Sequence, residues 1–153
     1  MDVGCGPQLI PSYLRKTVLN GNVSIYGVEP ITSPHPFPCY KGFAEFLPWV
    51  SESFDVVICA TSLDHCLSLE RTLREIHRVM KINGVFILWV GFVAGSVEYD
   101  PKNPLINKID EYHLFHFDRG WLESILERHS FSIIELVAFD EQSHFYALKN
   151  VSL

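Results

Sequence analysis

The sequence has few charged residues and no long apolar run. Charged residues make up 20% of the 153-residue chain, and the longest apolar stretch, residues 85–94, is interrupted by Gly91. A membrane-spanning helix needs about 20 apolar residues, so we expect no membrane span and no membrane partner. The chain has 12 Lys and Arg against 18 Asp and Glu, with no basic run, which argues against a nucleic-acid partner.

Cysteine is sparse and shows no metal-binding spacing. The four cysteines include no CxxC pair and no Cys/His cluster at the spacing of zinc ligands. His113 and His116 share helical spacing, but no third ligand accompanies them. We therefore expect reduced thiols and no bound metal. The sequence begins without a basic and apolar leader, and together these features predict a cytoplasmic protein.

Length and composition predict one domain. With 48% hydrophobic residues, 153 residues are enough for one buried core and too few for two ordinary domains, so we expect a single domain over residues 1–153. The low charged fraction also predicts that a good share of the apolar residues is hidden in a layered interior or in an interface. If there is an interface, we expect it to be that of a homodimer.

Extended and helical patterns alternate along the chain, which predicts an α/β fold with a mostly parallel central sheet flanked by helices. The predicted strands are residues 1–3, 23–28, 41–45, 54–60 and 85–90, followed by an antiparallel pair, 131–139 and 144–149. The predicted helices are residues 10–19, 69–80 and 119–129. The mainly apolar and β-branched residues 54–60 predict a fully buried strand with parallel neighbours.

Two segments are expected to be irregular. Residues 31–40 contain three prolines and cannot form the helix that often joins two parallel strands. This predicts that one face of the sheet is thinly covered. Residues 95–108 are polar and contain Pro101 and Pro104, which predicts an irregular loop.

A glycine-rich turn follows the first predicted strand, in Asp2-Val3-Gly4-Cys5-Gly6. Glycine lets the backbone approach a ligand closely, and the helix that follows presents free N–H groups. Glu29 ends the next strand, where its carboxylate would lie beside the same ligand and accept from two ribose hydroxyls. On these residues alone, a tight turn beside an ordinary strand end remains the alternative.

A dinucleotide fingerprint would need a third glycine where this chain has Leu9, so an NAD-dependent oxidoreductase is a distant hypothesis. Asp2-x-Gly4-x-Gly6 instead resembles motif I of the class I methyltransferases, written (D/E)xGxGxG. The resemblance continues in GFAEFLPW (42–49), SFDVV (53–57), SLDH (62–65), LREIHRVMKING (73–84) and HLFHF (113–117). In order, these look like the family blocks GDAexLPF, sFDvV, lxHv, LxEixRVLKPGG and Hxxxf. Over essentially its whole length, the chain resembles a type 11-like, Rossmann-like S-adenosylmethionine-dependent methyltransferase.

This resemblance implies methyl transfer from S-adenosylmethionine to a small-molecule, sugar-like or lipid-linked acceptor. It puts Gly4 and Gly6 against the methionyl part of the cofactor and Asp2 near its amino group. Glu29 would accept from the ribose hydroxyls. Further cofactor contacts are implied for Ala44, Glu45, Cys59, Ala60 and Thr61.

Three features depart from the family pattern. Gln8 stands at the third glycine, and Phe43 replaces the acidic residue that accepts from the adenine amino group. The chain also lacks the strand residues and helices that normally precede motif I, so we expect an N-terminally shortened fold. These departures keep open an alternative function, that of a non-catalytic member of the fold acting as a binding or complex subunit.

His65 and Asp64 follow the fourth predicted strand, and they are the candidate catalytic residues. His65 would act as a general base if the methyl acceptor is a hydroxyl, because its ordinary pKa is about 6.5. The alternative is a loop histidine held by hydrogen bonds. The sequence leaves Asp64 with the same two interpretations.

Overall fold

The computed structural model describes residues 1–31, 34–92, 113–114, 116–140 and 142–151. Among these residues, seven strands form one sheet: β1 (Asp2–Val3), β2 (Gly27–Glu29), β3 (Cys39–Lys41), β4 (Phe54–Ala60), β5 (Met80–Gly91), β6 (Phe131–Ala138) and β7 (Ser143–Asn150). The helices are α1 (Arg15–Asn20), α2 (Leu69–Val79) and α3 (Arg119–Arg128), with short 3₁₀ turns at Ser12–Leu14 and Leu63–His65.

The sheet is mostly parallel, with strand order β3-β2-β1-β4-β5-β7-β6. The five strands from β3 to β5 in this order pair in parallel, and β7 runs antiparallel to both β5 and β6. The predicted Rossmann-like sheet with a C-terminal antiparallel pair is therefore confirmed. β4 has parallel neighbours on both sides, as its apolar run predicted.

One face of the sheet carries the core because α2 and α3 pack on it. In α2, Leu69, Leu73 and Ile76 recur every three or four residues and are fully buried. Asp118 begins α3 by accepting a hydrogen bond from the Trp121 backbone N–H at 3.0 Å. The side chains of the sheet that join this core include Val57, Phe86, Leu88, Tyr146 and Leu148.

The opposite face is more open in the described part of the chain. Val56 on β4 is 39% exposed and Ile87 on β5 is 38% exposed, while Val137 on β6 is 50% exposed. The prediction that residues 54–60 form a fully buried strand is therefore wrong for this face. The reason is that strand burial depends on helices packed from both sides, and residues 34–38 contain no helix.

Several predicted boundaries differ from those observed. A 3₁₀ turn takes the place of the first turn of the predicted helix 10–19, and the α-helix itself begins at Arg15. β2 is three residues long instead of six, because its pairing partners β1 and β3 have only two and three residues. β3 begins at Cys39, inside the segment expected to be irregular, rather than at residue 41.

The sequence predicts that Asn83-Gly84 ends the helix over residues 69–80, because this pair is a common helix stop. Asn83-Gly84 does not end the helix; β5 starts at Met80, directly after Val79, and continues through both residues. Asn83 has φ 66°, and the pairing with β4 slips between Phe54 and Val56. The Asn-Gly pair therefore marks an irregular stretch within the strand.

The segment 95–108, which was predicted to be irregular, lies outside the residues that the structure describes. In the described ranges, none of the helices combines the length and the apolar composition required to cross a bilayer.

Candidate cofactor and active site

A cavity of about 590 Å³ opens at the carboxyl ends of β1, β2 and β4. Small-molecule pockets typically span about 300–1,000 Å³, so a cofactor and part of a small acceptor fit this size. The fold brings seven of the nine predicted cofactor residues to its wall: Gly4, Gly6, Glu29, Ala44, Glu45, Ala60 and Thr61. Asp2 and Cys59 do not line it.

The glycine turn and Glu29 meet as the parallel strands require. Gly4 and Gly6 have φ of 71° and 68°, a left-handed backbone that glycine adopts without strain. The Gly6 backbone N–H donates to Glu29 Oε2 at 2.9 Å, and the Ile31 N–H donates to Glu29 Oε1 at 3.2 Å. Each carboxylate oxygen keeps a further lone pair, so Glu29 is held in position while it can still accept from a ligand.

Gly4 is also required by packing. A Cβ added there would lie 2.4 Å from Ser62 Cβ, closer than any side chain tolerates. The Ser62 hydroxyl donates to the Val3 carbonyl at 2.6 Å, which fixes the segment after β4 against the end of β1. The glycine therefore lets two neighbouring strand ends approach each other beneath the cavity.

Asp2 lies behind the glycine turn and is 1% exposed. The Tyr13 hydroxyl donates to both of its oxygens, at 3.1 and 2.9 Å. Burial raises the pKa of Asp2 to about 6, and the bond from Tyr13 opposes that rise. Tyr13 lines the cavity, so Asp2 influences the site through Tyr13 and the turn.

The predicted adenine region is formed by the segment after β3. Phe43, Ala44 and Glu45 all line the cavity, and the Phe43 ring is 53% exposed. The Glu45 carboxylate turns away from solvent and accepts from the Ser68 N–H at 3.0 Å, at the start of α2. Glu45 thus accepts a hydrogen bond from a backbone N–H that the helix leaves without an intrahelical partner at its N-terminus. Phe43 presents an exposed ring surface to the cavity.

The end of β4 bends sharply at the cavity wall. Thr61 has φ 51°, which is unusual for a β-branched residue, and its N–H donates to the Trp89 carbonyl at 2.9 Å. Cys59 points into the core instead: it is 1% exposed, and its Sγ lies 3.0 Å from Ser62 Oγ. Side chains alternate along a strand, which explains why Ala60 reaches the cavity and Cys59 does not.

The two candidate catalytic residues lie in the 3₁₀ turn that follows. His65 lines the cavity, and its side chain is 45% exposed. Asp64 Oδ1 lies 3.9 Å from His65 Nε2, and Asp64 Oδ2 lies 3.5 Å from His113 Nε2. The fold thus joins the predicted pair to a third residue, His113, from far along the chain.

Comparison with known proteins identifies the fold family. Residues 1–88, more than half of the chain, match the family model described as "Methyltransferase domain". The chain belongs to the class I S-adenosylmethionine-dependent methyltransferases. The resemblance found in its sequence is therefore confirmed.

A curated relative of this methyltransferase domain is the mitochondrial arginine-hydroxylase NDUFAF5 of Danio rerio. It is 36% identical over 107 residues, which cover 65% of this chain and 32% of the relative. The chain thus spans about a third of that relative's length. An uncharacterized protein of Methanocaldococcus jannaschii, MJ1252, is 35% identical over 106 residues, covering 69% of this chain and 41% of that protein.

Among solved structures, a Burkholderia thailandensis 1,6-didemethyltoxoflavin N1-methyltransferase with bound S-adenosylhomocysteine has a TM-score of 0.74 and 14% identity. The match covers 99% of this chain and 70% of that one. At such identity, this similarity establishes only the methyltransferase fold.

The cavity residues that were not predicted from sequence include Tyr13, Ser62 and Trp89. Trp89 reaches the cavity because β5 pairs Trp89 with Ala60. Its ring stacks on Phe145 at 5.0 Å, and among the described residues its buried Nε1 has no hydrogen-bond acceptor. The only sequence signal for these residues is an aromatic or hydroxyl group near a strand end, which is too common to assign a role.

Proposed function

We propose that this protein transfers a methyl group from S-adenosylmethionine to a small-molecule, sugar-like or lipid-linked acceptor. The observation that carries the proposal is the Glu29 carboxylate, fixed by the Gly6 N–H at 2.9 Å at the wall of the 590 Å³ cavity. The family supports cofactor use, and a relative of the same fold contains bound S-adenosylhomocysteine.

The residues present fit an adenosyl group. Glu29 has two oxygens with lone pairs left for the two ribose hydroxyls. Phe43 lacks the carboxylate common in the family, but its exposed ring offers a stacking surface for adenine. Gly6 leaves backbone space for the methionyl part, because a Cβ added there would meet no atom within 4 Å.

The bound cofactor supplies a methyl group activated by its positively charged sulfur. The protein mainly has to hold the acceptor in line with that methyl group and to keep water away. Thr61 presents main chain at the end of β4, and His65 lies at the cavity wall, where it would take a proton from a hydroxyl acceptor.

Calorimetry with S-adenosylmethionine and S-adenosylhomocysteine tests the proposal. Replacing Glu29 with Gln removes the charge from the hydrogen bonds to ribose and should raise the Kd by roughly 10- to 100-fold. The matched control is Glu135→Gln, since Glu135 is exposed on β6, away from the cavity. Its Kd should stay within about twofold of wild type.

Transfer itself is measured with methyl-labelled cofactor and a low-molecular-weight cell extract. Label should enter a small molecule, and His65→Ala should slow the transfer if the attacking atom is a hydroxyl oxygen. If neither cofactor form binds at millimolar concentration, the enzymatic proposal fails. Cofactor binding without transfer would favour the alternative, a non-catalytic binding or complex subunit.

Hydroxylation of an arginine side chain is a second candidate function. It is favoured by Asp64, His65 and His113, whose donor atoms all lie within 4.8 Å of one another, and by the similarity to NDUFAF5. Two imidazoles and a carboxylate are the ligands of non-haem iron oxygenases. Such a reaction would use dioxygen and a 2-oxoacid. One oxygen atom would enter the substrate C–H bond, and the other would enter the carboxylic acid left when the 2-oxoacid loses carbon dioxide.

Mass spectrometry distinguishes the two candidate functions. An arginine peptide incubated with protein, Fe²⁺ and 2-oxoglutarate should gain one oxygen atom, and Asp64→Asn should abolish that gain. Methyl transfer without any gain of oxygen would reject hydroxylation. The homodimer and the cytoplasmic location stay predictions, which sedimentation and cell fractionation would measure.

A further inference from the structure

Three side chains that lie far apart in the sequence meet beneath the glycine turn. Cys5 lies between Gly4 and Gly6, His35 lies in the proline-rich segment, and Cys39 begins β3. Cys5 Sγ is 3.4 Å from Cys39 Sγ and 3.7 Å from His35 Nε2. The three donor atoms all lie within 4.8 Å of one another, and both cysteines are free thiols. This group is called the Cys5–His35–Cys39 cluster below.

The histidine is oriented as a metal ligand is. His35 Nδ1 lies 3.1 Å from the Leu9 carbonyl oxygen, which can only accept, so Nδ1 carries the hydrogen. A neutral ring then keeps its lone pair on Nε2, the atom nearest to Cys5 Sγ. A backbone carbonyl on the second ring nitrogen is a typical outer partner of a metal-bound histidine. Phe37 stacks on the ring with centroids 5.0 Å apart and further restricts its rotation.

The backbone leaves room for the two sulfur atoms. A Cβ on Gly27 would lie 2.9 Å from Cys5 Sγ and 3.2 Å from Cys39 Sγ. Gly27 belongs to β2, which lies between β1 and β3, so its missing side chain lets the two sulfurs meet across that strand. Any larger residue at this position would push them apart.

The donor set and its spacing match zinc. Two thiolates and an imidazole are zinc ligands, and tetrahedral geometry with Zn–S near 2.3 Å puts two sulfurs roughly 3.8 Å apart. The observed 3.4 Å between the sulfurs and 3.7 Å from sulfur to nitrogen need only small adjustments. Two thiolates would also neutralise the dication, so binding adds no net charge near Asp2 and Glu29.

We propose that the Cys5–His35–Cys39 cluster is a Zn²⁺ site with three protein ligands that ties the glycine turn to β3 across β2. The fourth coordination position would be taken by water. The site would replace the bracing that a regular crossover helix between β2 and β3 provides, since residues 34–38 contain none. This differs from the sequence-based expectation of no bound metal, because ligand spacing along the chain does not reveal a cluster assembled from three separate segments.

Metal titration of the purified, reduced chain tests the site directly and does not depend on any methyl-transfer activity. After treatment with a chelator, addition of Co²⁺ should give one equivalent bound, with thiolate-to-cobalt absorption and the visible bands of a tetrahedral ion. Zn²⁺ should displace the Co²⁺. Saturating Zn²⁺ should raise Tm by about 5 °C or more, as expected for a ligand that binds only the folded state.

Matched variants identify the ligands. Cys39→Ser and His35→Ala should each weaken Co²⁺ binding by at least about 10-fold, by analogy with losses at other metal sites. Cys66→Ser and His77→Ala are the controls, because these residues lie outside the cluster, and they should bind Co²⁺ like wild type. Circular dichroism checks that each variant folds, and the wild-type titration stands even if one does not.

Two results would overturn the proposal. The first is folded, reduced wild-type protein that binds no stoichiometric Co²⁺ or Zn²⁺, or that binds them without thiolate absorption. The second is unchanged binding in both Cys39→Ser and His35→Ala. In the first case, loss of two thiols on mild oxidation, with loss of two hydrogen atoms in mass and the bond mapped by peptide mass spectrometry to Cys5 and Cys39, would identify this pair as a disulfide-forming site instead.

Discussion

Replacing Asp2 with Asn should change how the stability of the protein depends on pH. Asp2 is 1% exposed, and burial raises its pKa from 3.8 to about 6. Asn keeps one oxygen that can accept from the Tyr13 hydroxyl, so the substitution removes the charge while preserving most of the shape. The variant therefore isolates the energetic cost of the buried carboxylate.

Proton linkage gives the direction and the size of the expected change in the free energy of unfolding. The folded state binds the Asp2 proton more tightly than the unfolded state, so the free energy of unfolding falls as pH rises from about 4 to 6. A rise of two units corresponds to a total cost of about 3 kcal/mol, complete above the folded pKa and absent below the unfolded one. About 2 kcal/mol of it develops between about pH 4.5 and 7.5.

Urea unfolding of both proteins across this pH range gives the measurement. The stability of Asp2→Asn relative to wild type should increase by about 2 kcal/mol toward neutral pH, and groups that do not interact with Asp2 cancel in the difference. Asp55→Asn is the control. Lys81 hydrogen-bonds to Asp55 and holds its pKa below the ordinary 3.8, so the stability difference between this variant and wild type should change only in more acidic solution and stay nearly constant from about pH 4.5 to 7.5.

A stability difference that stays constant from acid to neutral pH would refute the reasoning for Asp2. It would mean that the carboxylate is ionised in the folded protein at little cost, with Tyr13 and the neighbouring backbone replacing its lost hydration. A difference that grows toward acid pH would reverse the assigned direction of the pKa shift.

Two further substitutions test packing and an ion pair. Gly4→Ala should cost at least about 3 kcal/mol in thermal unfolding, because a Cβ would lie 2.4 Å from Ser62 Cβ, whereas Gly21→Ala, with a similar φ and open space, should cost about 1 kcal/mol. Arg78→Lys should cost about 2 kcal/mol in urea unfolding, since Lys cannot reproduce the bidentate bond to Glu75 together with two bonds to backbone carbonyls. Equal losses for each variant and its control, exposed Arg74→Lys in the second case, would contradict these assignments.

The elements that were predicted well carry a strong local signal. The stripe of Leu69, Leu73 and Ile76 predicts α2 within one residue, and Asp118 predicts the start of α3. The apolar run of β4 gives its bounds, Phe54–Ala60, as observed. Hydrophobic periodicity repeats over many residues in these segments, so it outweighs local exceptions.

Where prediction failed, the deciding partner was distant in sequence. β2 is short because the strands that pair with it, β1 and β3, are short. β5 continues through Asn83-Gly84 because β4 pairs with it both before and after these two residues. A residue pair such as Asn-Gly predicts only that the backbone can bend at that point. Whether the chain then leaves the sheet depends on hydrogen bonds offered by the next strand.

By itself, the sequence determined the order of elements, the glycine turn and the family, because these depend on short spacings and on the conformational freedom of particular residues. The tertiary structure alone decided which side chains share a space. Strand register brought Trp89 beside Ala60, and strand order brought Cys5 to Cys39. Hydrogen bonding between strands sets these neighbours, and no pattern within a single strand encodes them.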